Sequence, residues 1–346
     1  MPIGISFFTF QTLSYVIDVY RKDVEVSKNF FDFATYVSLF PQLVAGPIVR
    51  YQTVARELKE RKTNYTDFGN GVKRFVVGLA KKILIANVIG ELCASLLAME
   101  SITVTSSWLN AIGFTLQIYF DFSGYSDMAI GLGLMFGFHF LENFNYPFIA
   151  KSITDFWRRW HMSLSSFFRD YIYIPLGGNR VTNLKWIRNL FIVWFLTGFW
   201  HGAAWNFIIW GLYFAVLLVL EKKTWGKYLE KTKIFKYLYT LFFVVISFTI
   251  FNSNSLGELT QTLKNMFFIN KIDFINTETI YHFRNYIIIL IVGVVASTPL
   301  IKNLFNKLKN SKLIISLEII YYFGLLLIIT AFLIDSSFNP FLYFRF

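Results

Sequence analysis

The feature that most constrains this chain is a long stretch without charge, flanked on both sides by basic residues. Residues 189–220 contain no Asp, Glu, Lys or Arg, and the basic flanks are Arg180, Lys185, Arg188, Lys222, Lys223 and Lys227. A membrane span needs about 20 apolar residues, so roughly 30 is long for one helix and short for two crossings. Short loops rich in Lys and Arg stay cytoplasmic, which places both ends on one side. The stretch therefore predicts a shallow hairpin or broken helix that turns near His201 and Gly202 inside protein or a water-filled cavity.

Composition extends this interpretation to the whole chain. Of 346 residues, 55% are hydrophobic and 16% are charged, a balance typical of polytopic membrane proteins. The net charge of +12 comes from short basic runs between apolar segments, which indicates cytoplasmic loops and argues against nucleic-acid binding. The single cysteine, Cys93, excludes an intrachain disulfide, and we predict that it is a packing residue. We expect an all-α, polytopic integral membrane protein with broken and re-entrant helices, forming a single domain over residues 1–346.

A charged helix start precedes the charge-free stretch. Ser152 stands three residues before Asp155, the spacing of a capped helix N-terminus. Helical spacing then places a set of mostly aromatic residues on one face: Trp157, Trp160, His161, Leu164 and Phe168. We predict one amphipathic helix as far as Arg169, with His161 turned inward. On its other side Asp155 can pair with Arg158 and Arg159.

His161 and His201 are the candidate catalytic residues. An ionisable group within the hydrocarbon region is costly and tends to mark a pathway or reaction site, although a hydrogen-bonded structural histidine remains the alternative. A neutral imidazole can take a proton from a hydroxyl as that oxygen attacks an acyl carbon, and can then return it to the leaving group. An unperturbed pKa of about 6.5 suits this exchange at neutral pH. No metal site is expected, because the two histidines have no third ligand at a recognisable spacing.

Two further segments carry structural expectations. The apolar runs 108–120 and 128–140 are joined by Asp121-Phe-Ser-Gly-Tyr-Ser-Asp127, for which we favour a solvated turn between spans over paired carboxylates for acid–base work. Gly133 and Gly137 are interpreted as sites of close helix packing. Residues 30–48 are apolar but interrupted by Pro41 and Pro47, which predicts a helix broken at membrane depth.

Several sequence blocks resemble the membrane-bound O-acyltransferase family, in particular its alginate and peptidoglycan O-acetyltransferase branch. The blocks are residues 2–11, 40–48, 121–127, 156–165, 170–180, 197–206 and 343–346. The resemblance implies that His201, in a Trp-His-Gly motif, is the catalytic base and that His161, in an Arg-Arg-Trp-His motif, is a second active-site histidine. Neighbouring residues of these motifs are expected to line or support a central substrate tunnel: Trp200, Asn206, Asp155, Arg158 and Trp160.

The resemblance also implies a reaction and its partners. No cofactor is expected to be bound; acetyl-CoA would be the cytoplasmic acyl donor, and a polysaccharide or peptidoglycan hydroxyl outside the membrane would be the acceptor. The expected partners are the lipid bilayer of a bacterial cytoplasmic membrane and an extracytoplasmic acetyltransferase of the SGNH type.

Family members carry further spans ahead of the block that begins here at Pro2, so the chain is expected to be incomplete at this end relative to the family. Three alternatives stay open. They are D-alanyl transfer to teichoic acid, a truncated non-catalytic membrane scaffold, and a proton-coupled transporter or lipid flippase.

Overall fold

The computed structural model describes residues 5–41, 46–308, 312–335 and 341, and within these ranges the chain forms helices, turns and loops without any strand. The α-helices are α1 (Ile5–Arg21), α2 (Phe30–Ser38), α3 (Tyr51–Glu60), α4 (Tyr65–Ala80), α5 (Val88–Leu97), α6 (Val104–Met135), α7 (Ile153–Trp157), α8 (Met162–Phe168), α9 (Asn183–His201), α10 (Trp205–Leu220), α11 (Gly226–Lys231), α12 (Phe235–Asn252), α13 (Leu256–Met266), α14 (Thr277–Ala296), α15 (Leu300–Leu308) and α16 (Lys312–Asp335).

Shorter helical pieces join some of these elements. π-Helical segments occupy Lys81–Asn87, Arg169–Tyr173 and Glu221–Trp225, and Pro147–Ile149 forms one 3-10 turn. The break predicted within residues 30–48 is seen where α2 ends, at Ser38. The rest of that prediction, at residues 42–45, lies outside the described residues, as do the ends of the resemblance at residues 2–4 and 343–346.

Helix α6 is the central element of the fold. It has 32 residues, begins with a capping box in which Thr103 accepts a hydrogen bond from the Ser106 backbone N–H, and is buried along most of its length. Helices α4, α5, α12, α13 and α14 all pack against it. The arrangement surrounds α6 with protein and leaves α14 and α16 at the periphery.

The polar joint between Asp121 and Asp127 is part of this continuous helix, so the predicted solvated turn is wrong. The physical reason is charge compensation by the neighbouring helical run. Lys82 pairs with Asp121, while Arg74 and Lys81 lie 2.8 Å and 2.6 Å from the carboxylate of Asp127. Because each carboxylate has a cationic partner, the helix continues through a segment that its polarity alone assigned to solvent.

Close packing between α4 and α6 depends on glycines other than those predicted. A Cβ atom at Gly71 would stand 2.6 Å from the carbonyl oxygen of Gly131, and one at Gly78 would stand 2.6 Å from that of Gly124. Only glycine permits backbones to approach so closely. Gly133 instead faces the ring of Phe140 within the same local turn, and Gly137, at φ 77°, ends the helix, so the predicted packing through these two residues is wrong.

The charge-free stretch folds as a helical hairpin that turns after His201, as predicted. Gly202 ends α9 and Trp205 begins α10. With 19 and 16 residues, the two helices are about 28 and 24 Å long, close to the roughly 30 Å thickness of a hydrocarbon core. The hairpin is longer than predicted because α9 begins at Asn183, ahead of the uncharged run.

Four of the described helical runs are long and apolar enough to cross a membrane: Trp205–Lys231, Phe235–Asn252, Thr277–Ala296 and Leu317–Asp335. The first two contribute to the protein interior, with 44% and 56% of their most apolar windows buried, whereas the last two are only 17% and 6% buried. Cys93 is buried in the main apolar cluster, which confirms its packing role.

Candidate active site

The segment that begins at Ser152 is broken at the first candidate histidine. Ser152 caps α7 as predicted, accepting a hydrogen bond from the Asp155 backbone N–H at 3.0 Å. Helix α7 ends at Trp157, however, and His161 adopts a left-handed conformation with φ 45° and ψ 54° before α8 begins. The prediction of one continuous helix is therefore wrong.

Backbone hydrogen bonds from a neighbouring loop explain this break. The Asn145 N–H donates to the Arg159 carbonyl at 2.9 Å, and the Met162 N–H donates to the Asn143 carbonyl at 2.9 Å. The loop thereby takes up backbone groups that would otherwise bond along the helix. Tertiary contacts thus override the local helical pattern at this point.

One ring nitrogen of His161 is held by polar neighbours. Its side chain is 1% exposed, and its Nδ1 lies 3.1 Å from Oδ1 of Asn143. The same oxygen accepts hydrogen bonds from the backbone N–H and the hydroxyl of Ser163, at 3.2 Å and 2.8 Å. Among the described residues, Nε2 of His161 has no hydrogen-bond partner. One ring nitrogen is therefore fixed by protein while the other is available.

His201 ends α9 and is surrounded by aromatic rings. The ring centroids of Trp200, Trp210 and Phe251 lie 4.7, 5.1 and 5.1 Å from that of His201. The last two are edge contacts at nearly 90°. The side chain is half-buried, beside the exposed tip of the hairpin.

Both histidines line one small cavity. Its volume is about 30 Å³, enough for one or two water-sized groups. The remaining lining residues come from α6, α7, α8, α10, α12 and the α7–α8 joint: Ile118, Asp121, Phe122, Trp157, Trp160, Leu164, Trp210, Phe248 and Phe251. The indole Nε1 atoms of Trp157 and Trp210 also have no hydrogen-bond partner in the described part of the chain. Two histidines, Asp121 and two tryptophans with N–H groups unpartnered among the described residues thus line a cavity whose other walls are apolar.

A larger cavity lies on the other side of the Lys82–Asp121 ion pair. Asp121 lines the histidine cavity, whereas Lys82 lines a second cavity of about 630 Å³ between α4, α6 and α16. This volume is within the range of small-molecule sites. The structure therefore shows two neighbouring cavities separated by an ion pair, and the central tunnel stays a prediction.

Three of the residues predicted to line or support the tunnel lie at or beside the histidine cavity. Trp160 lines the cavity and stacks on Phe156 at 5.6 Å. Trp200 packs between the rings of His201, at 4.7 Å, and His161, at 6.2 Å. Asn206 donates from Nδ2 to the Phe251 carbonyl at 3.0 Å, which ties α10 to a cavity wall.

Asp155 and Arg158 lie away from the cavity. Asp155 pairs with Arg159 at 2.9 Å and accepts a hydrogen bond from the Lys151 N–H. Arg158 is exposed.

Asn143 is the polar residue that sequence reasoning missed. It is fully buried and touches His161, Ser163 and, through Nδ2, Ser126 at 3.1 Å. The available signal was a polar Asn-Phe-Asn motif between apolar segments. That signal does not show which distant side chain the amide reaches.

Comparison with known proteins agrees with the helical fold. The sequence model described as MBOAT, membrane-bound O-acyltransferase family, matches residues 5–259. The chain therefore belongs to the membrane-bound O-acyltransferase family, as the sequence blocks predicted, and is an all-α, multi-pass membrane protein.

Individual relatives divide into three kinds. The chain is 45% identical over 268 residues to the probable alginate O-acetylase AlgI of Pseudomonas aeruginosa, covering 77% of this chain and 52% of that protein. It is 37% identical to the peptidoglycan O-acetyltransferase of Helicobacter pylori, covering 78% and 57%. It is 32% identical to the teichoic acid D-alanyltransferase of Bacillus subtilis, covering 72% and 68%. The chain spans about half the length of the first two of these relatives.

Proposed function

We propose that this protein is a membrane O-acyltransferase that moves an acetyl group from a cytoplasmic thioester, acetyl-CoA, to hydroxyls of an extracytoplasmic polysaccharide or peptidoglycan. The observation that carries the proposal is that His161, from the α7–α8 joint, and His201, from the end of α9, line one small aromatic cavity. Family membership and the O-acetyltransferases among the relatives support the reaction class.

His201 is the proposed general base. Its imidazole takes the proton of the acceptor hydroxyl as that oxygen forms a bond to the thioester carbonyl carbon. The carbon–sulfur bond then breaks, and the thiolate leaves with the proton that the imidazolium returns. The enclosure excludes water that would otherwise hydrolyse the thioester. The N–H groups of Trp157 and Trp210, two cavity-lining residues whose indoles have no hydrogen-bond partner in the described chain, are the proposed donors to the oxyanion that forms between these steps.

Replacement of His201 tests this assignment. We expect His201→Ala to lower acyl transfer by on the order of 100-fold or more, because the hydroxyl then loses its proposed general base, while membrane insertion and expression are unchanged. Inverted membrane vesicles containing the protein are given acetyl-CoA labelled in the acetyl group, and transfer is measured as label in esters cleaved by mild alkali. His161→Ala should also impair transfer.

His282→Ala is the matched control, since His282 lies on α14 at the periphery and should retain full transfer. Wild-type turnover in His201→Ala would contradict the proposal. A wild-type protein that transfers no acetyl group under any of these conditions would favour the non-catalytic scaffold.

A D-alanyl group on a carrier protein is the second candidate donor. The specific observation in its favour is the match to the teichoic acid D-alanyltransferase, which covers 68% of that relative's length. The same vesicles, given a D-alanyl thioester in place of acetyl-CoA, separate the two donors. Greater identity to the O-acetyltransferases leads us to propose acetyl transfer first.

The proposed setting is the cytoplasmic membrane of a bacterium. An extracytoplasmic acetyltransferase of the SGNH type is the proposed partner, because a small acyl group delivered at the outer face still has to be distributed over a polymer. The weakly buried helices α14 and α16 are the proposed contacts with the bilayer.

A further inference from the structure

We propose that Asn143 is a positioning residue that fixes the proton of His161 on Nδ1 and so presents the lone pair of Nε2 to the cavity. The inference rests on the proposed function, in which His161 is the second histidine of the acyl-transfer site. Its evidence is the hydrogen-bond geometry around a fully buried amide.

The orientation of the Asn143 amide follows from its neighbours. The Ser163 backbone N–H, 3.2 Å away, can only donate, so the atom that faces it must be the amide oxygen. The Nδ2 group then points to the hydroxyl oxygen of Ser126, at 3.1 Å, where a donor has an acceptor. Both contacts agree on one orientation, which settles the choice between oxygen and nitrogen.

The amide orientation determines the histidine tautomer. Nδ1 of His161 faces the same oxygen at 3.1 Å, and an oxygen that only accepts requires a proton on Nδ1. In a neutral ring Nε2 then carries no proton and can only accept. Nε2 is buried and has no hydrogen-bond partner among the described residues, and the ring lines the cavity. His161 is therefore prepared to accept a hydrogen bond from a group inside the cavity.

Backbone contacts hold this arrangement in place. The Asn143 carbonyl accepts the Met162 N–H at 2.9 Å, and its side-chain oxygen accepts the Ser163 N–H, so the asparagine holds the two residues that follow the left-handed residue. The titratable groups that share the cavity with His161 are His201 and Asp121, and Asp121 is paired with Lys82. Neither provides a second acceptor for Nδ1, and the tautomer depends on Asn143.

Direct observation of the tautomer is the first test. The chain has four histidines, so in ¹⁵N-histidine-labelled protein the signals of His161 can be assigned by their loss in His161→Gln. We expect a protonated Nδ1 and an unprotonated Nε2 in the wild-type protein. A proton on Nε2 would overturn the proposal whether or not the protein transfers acetyl groups.

Two variants of Asn143 form the second test. Asn143→Leu removes the acceptor at similar volume, and we expect the Nδ1–H tautomer to lose its preference and kcat to fall on the order of 100-fold, with KM for acetyl-CoA changed by less than about twofold. Asn143→Asp keeps an acceptor for all three donors and should retain kcat within about tenfold of the wild-type value. The matched control is Asn64→Asp, at an exposed helix cap where either side chain accepts the Asp67 N–H.

The pH dependence of Asn143→Asp distinguishes positioning from a structural role. A carboxylate beside the ring favours the imidazolium form, so a higher pH is needed to regain the neutral ring, and the acidic limb of kcat should move up by about one pH unit. An unchanged limb in Asn143→Asp, or wild-type kcat in Asn143→Leu, would overturn the proposal. If Asn143→Leu does not fold, the pH profile of Asn143→Asp decides alone. If the wild-type protein transfers nothing, only the proposed function fails, because the tautomer is still observed.

Discussion

Lys82 and Asp121 show how single residues shape the interior of this protein. Both side chains are nearly fully buried, and their ion pair stands between the histidine cavity and the larger second cavity. Taking two charges out of water is costly, and the attraction between them offsets that cost only when both are present. Removing one partner should therefore cost more stability than the intact ion pair contributes.

Replacing one partner of the ion pair should destabilise the protein more than replacing both. We expect Lys82→Met to lower the free energy of unfolding by roughly 3–5 kcal/mol, whereas Lys82→Met combined with Asp121→Leu should recover most of that loss, because no charge is left buried. The double-mutant cycle compares the wild-type protein, Lys82→Met, Asp121→Leu and the double variant. Thermal unfolding in detergent measures the stability of each. If the losses of stability in the two single variants add up to the loss in the double variant, the ion pair is not the interaction that holds these residues.

Local sequence patterns predicted correctly those features of single residues that depend on near neighbours in the sequence. The Ser152 cap, the inward direction of His161 and the burial of Cys93 depend on neighbours within one or two helical turns, and the structure confirms them. The contact between Asn143 and His161 joins a loop to a helix break. No spacing rule connects such positions, so the residue that holds the second histidine could be found only in three dimensions.

The π-helical segments show a common feature at the scale of elements. Each one in the described chain carries a charged residue that reaches a neighbouring element. Lys82 pairs with Asp121 on α6, Asp170 pairs with Arg50 at 2.7 Å, and Glu221 accepts the Ile153 N–H at the start of α7 at 2.8 Å. π-Helical turns are often found at functional sites, and here they aim the charges that fix the elements around the histidine cavity.

The α9–α10 hairpin depends on two glycines. A Cβ atom at Gly211 would stand 2.2 Å from the carbonyl oxygen of Trp194, and one at Gly198 would stand 2.3 Å from that of Phe207. We expect Gly211→Ala to force the helices apart, lower the free energy of unfolding by about 1–3 kcal/mol and reduce acyl transfer by displacing His201. Detergent melting curves and the vesicle assay measure the two effects.

Gly324→Ala is the control for this substitution. It lies on α16, and a Cβ atom there meets no heavy atom of the described chain within 4 Å, so stability should stay the same or rise slightly through helix propensity. Equal behaviour of the two alanine variants would mean that close approach of α9 and α10 is not required.

Element prediction succeeded for long apolar runs and failed where polar residues have tertiary partners. The helical hairpin and its turn at Gly202 were predicted from hydropathy and flanking charge, and both are found. Helix α6 was divided at Asp121 and Asp127 because sequence alone does not show that Lys82, Arg74 and Lys81 compensate them. A polar segment forms a solvated turn only where water, and not another part of the protein, satisfies its charged groups.

For the whole molecule, the family was recognisable from the order of its sequence blocks, while the direction of the chain across the membrane stays a prediction. Basic residues surround the start of α12, and uncharged Asn252-Ser-Asn-Ser255 follows its end. The excess of Lys and Arg places the first end in the cytoplasm. The hairpin tip at His201 would then point to the outer side.

Cysteine labelling tests this topology. With the only cysteine replaced, as Cys93→Ala, we expect Asn254→Cys to react with a membrane-impermeant maleimide in intact cells and Lys227→Cys to react only after permeabilisation. Lys227, on α11, precedes α12, and Asn254 follows its end. The reverse pattern would invert the orientation. Reaction of both positions from the same side would exclude α12 as a span.

The left-handed backbone at His161 has an evolutionary consequence. A side chain in this conformation costs roughly 1–2 kcal/mol, a penalty that glycine does not incur. Backbone strain alone would favour glycine at this position. A lineage that keeps an imidazole there accepts this cost, which the buried ring offsets in part through its hydrogen bond to Asn143 and which the proposed chemistry of the ring would justify.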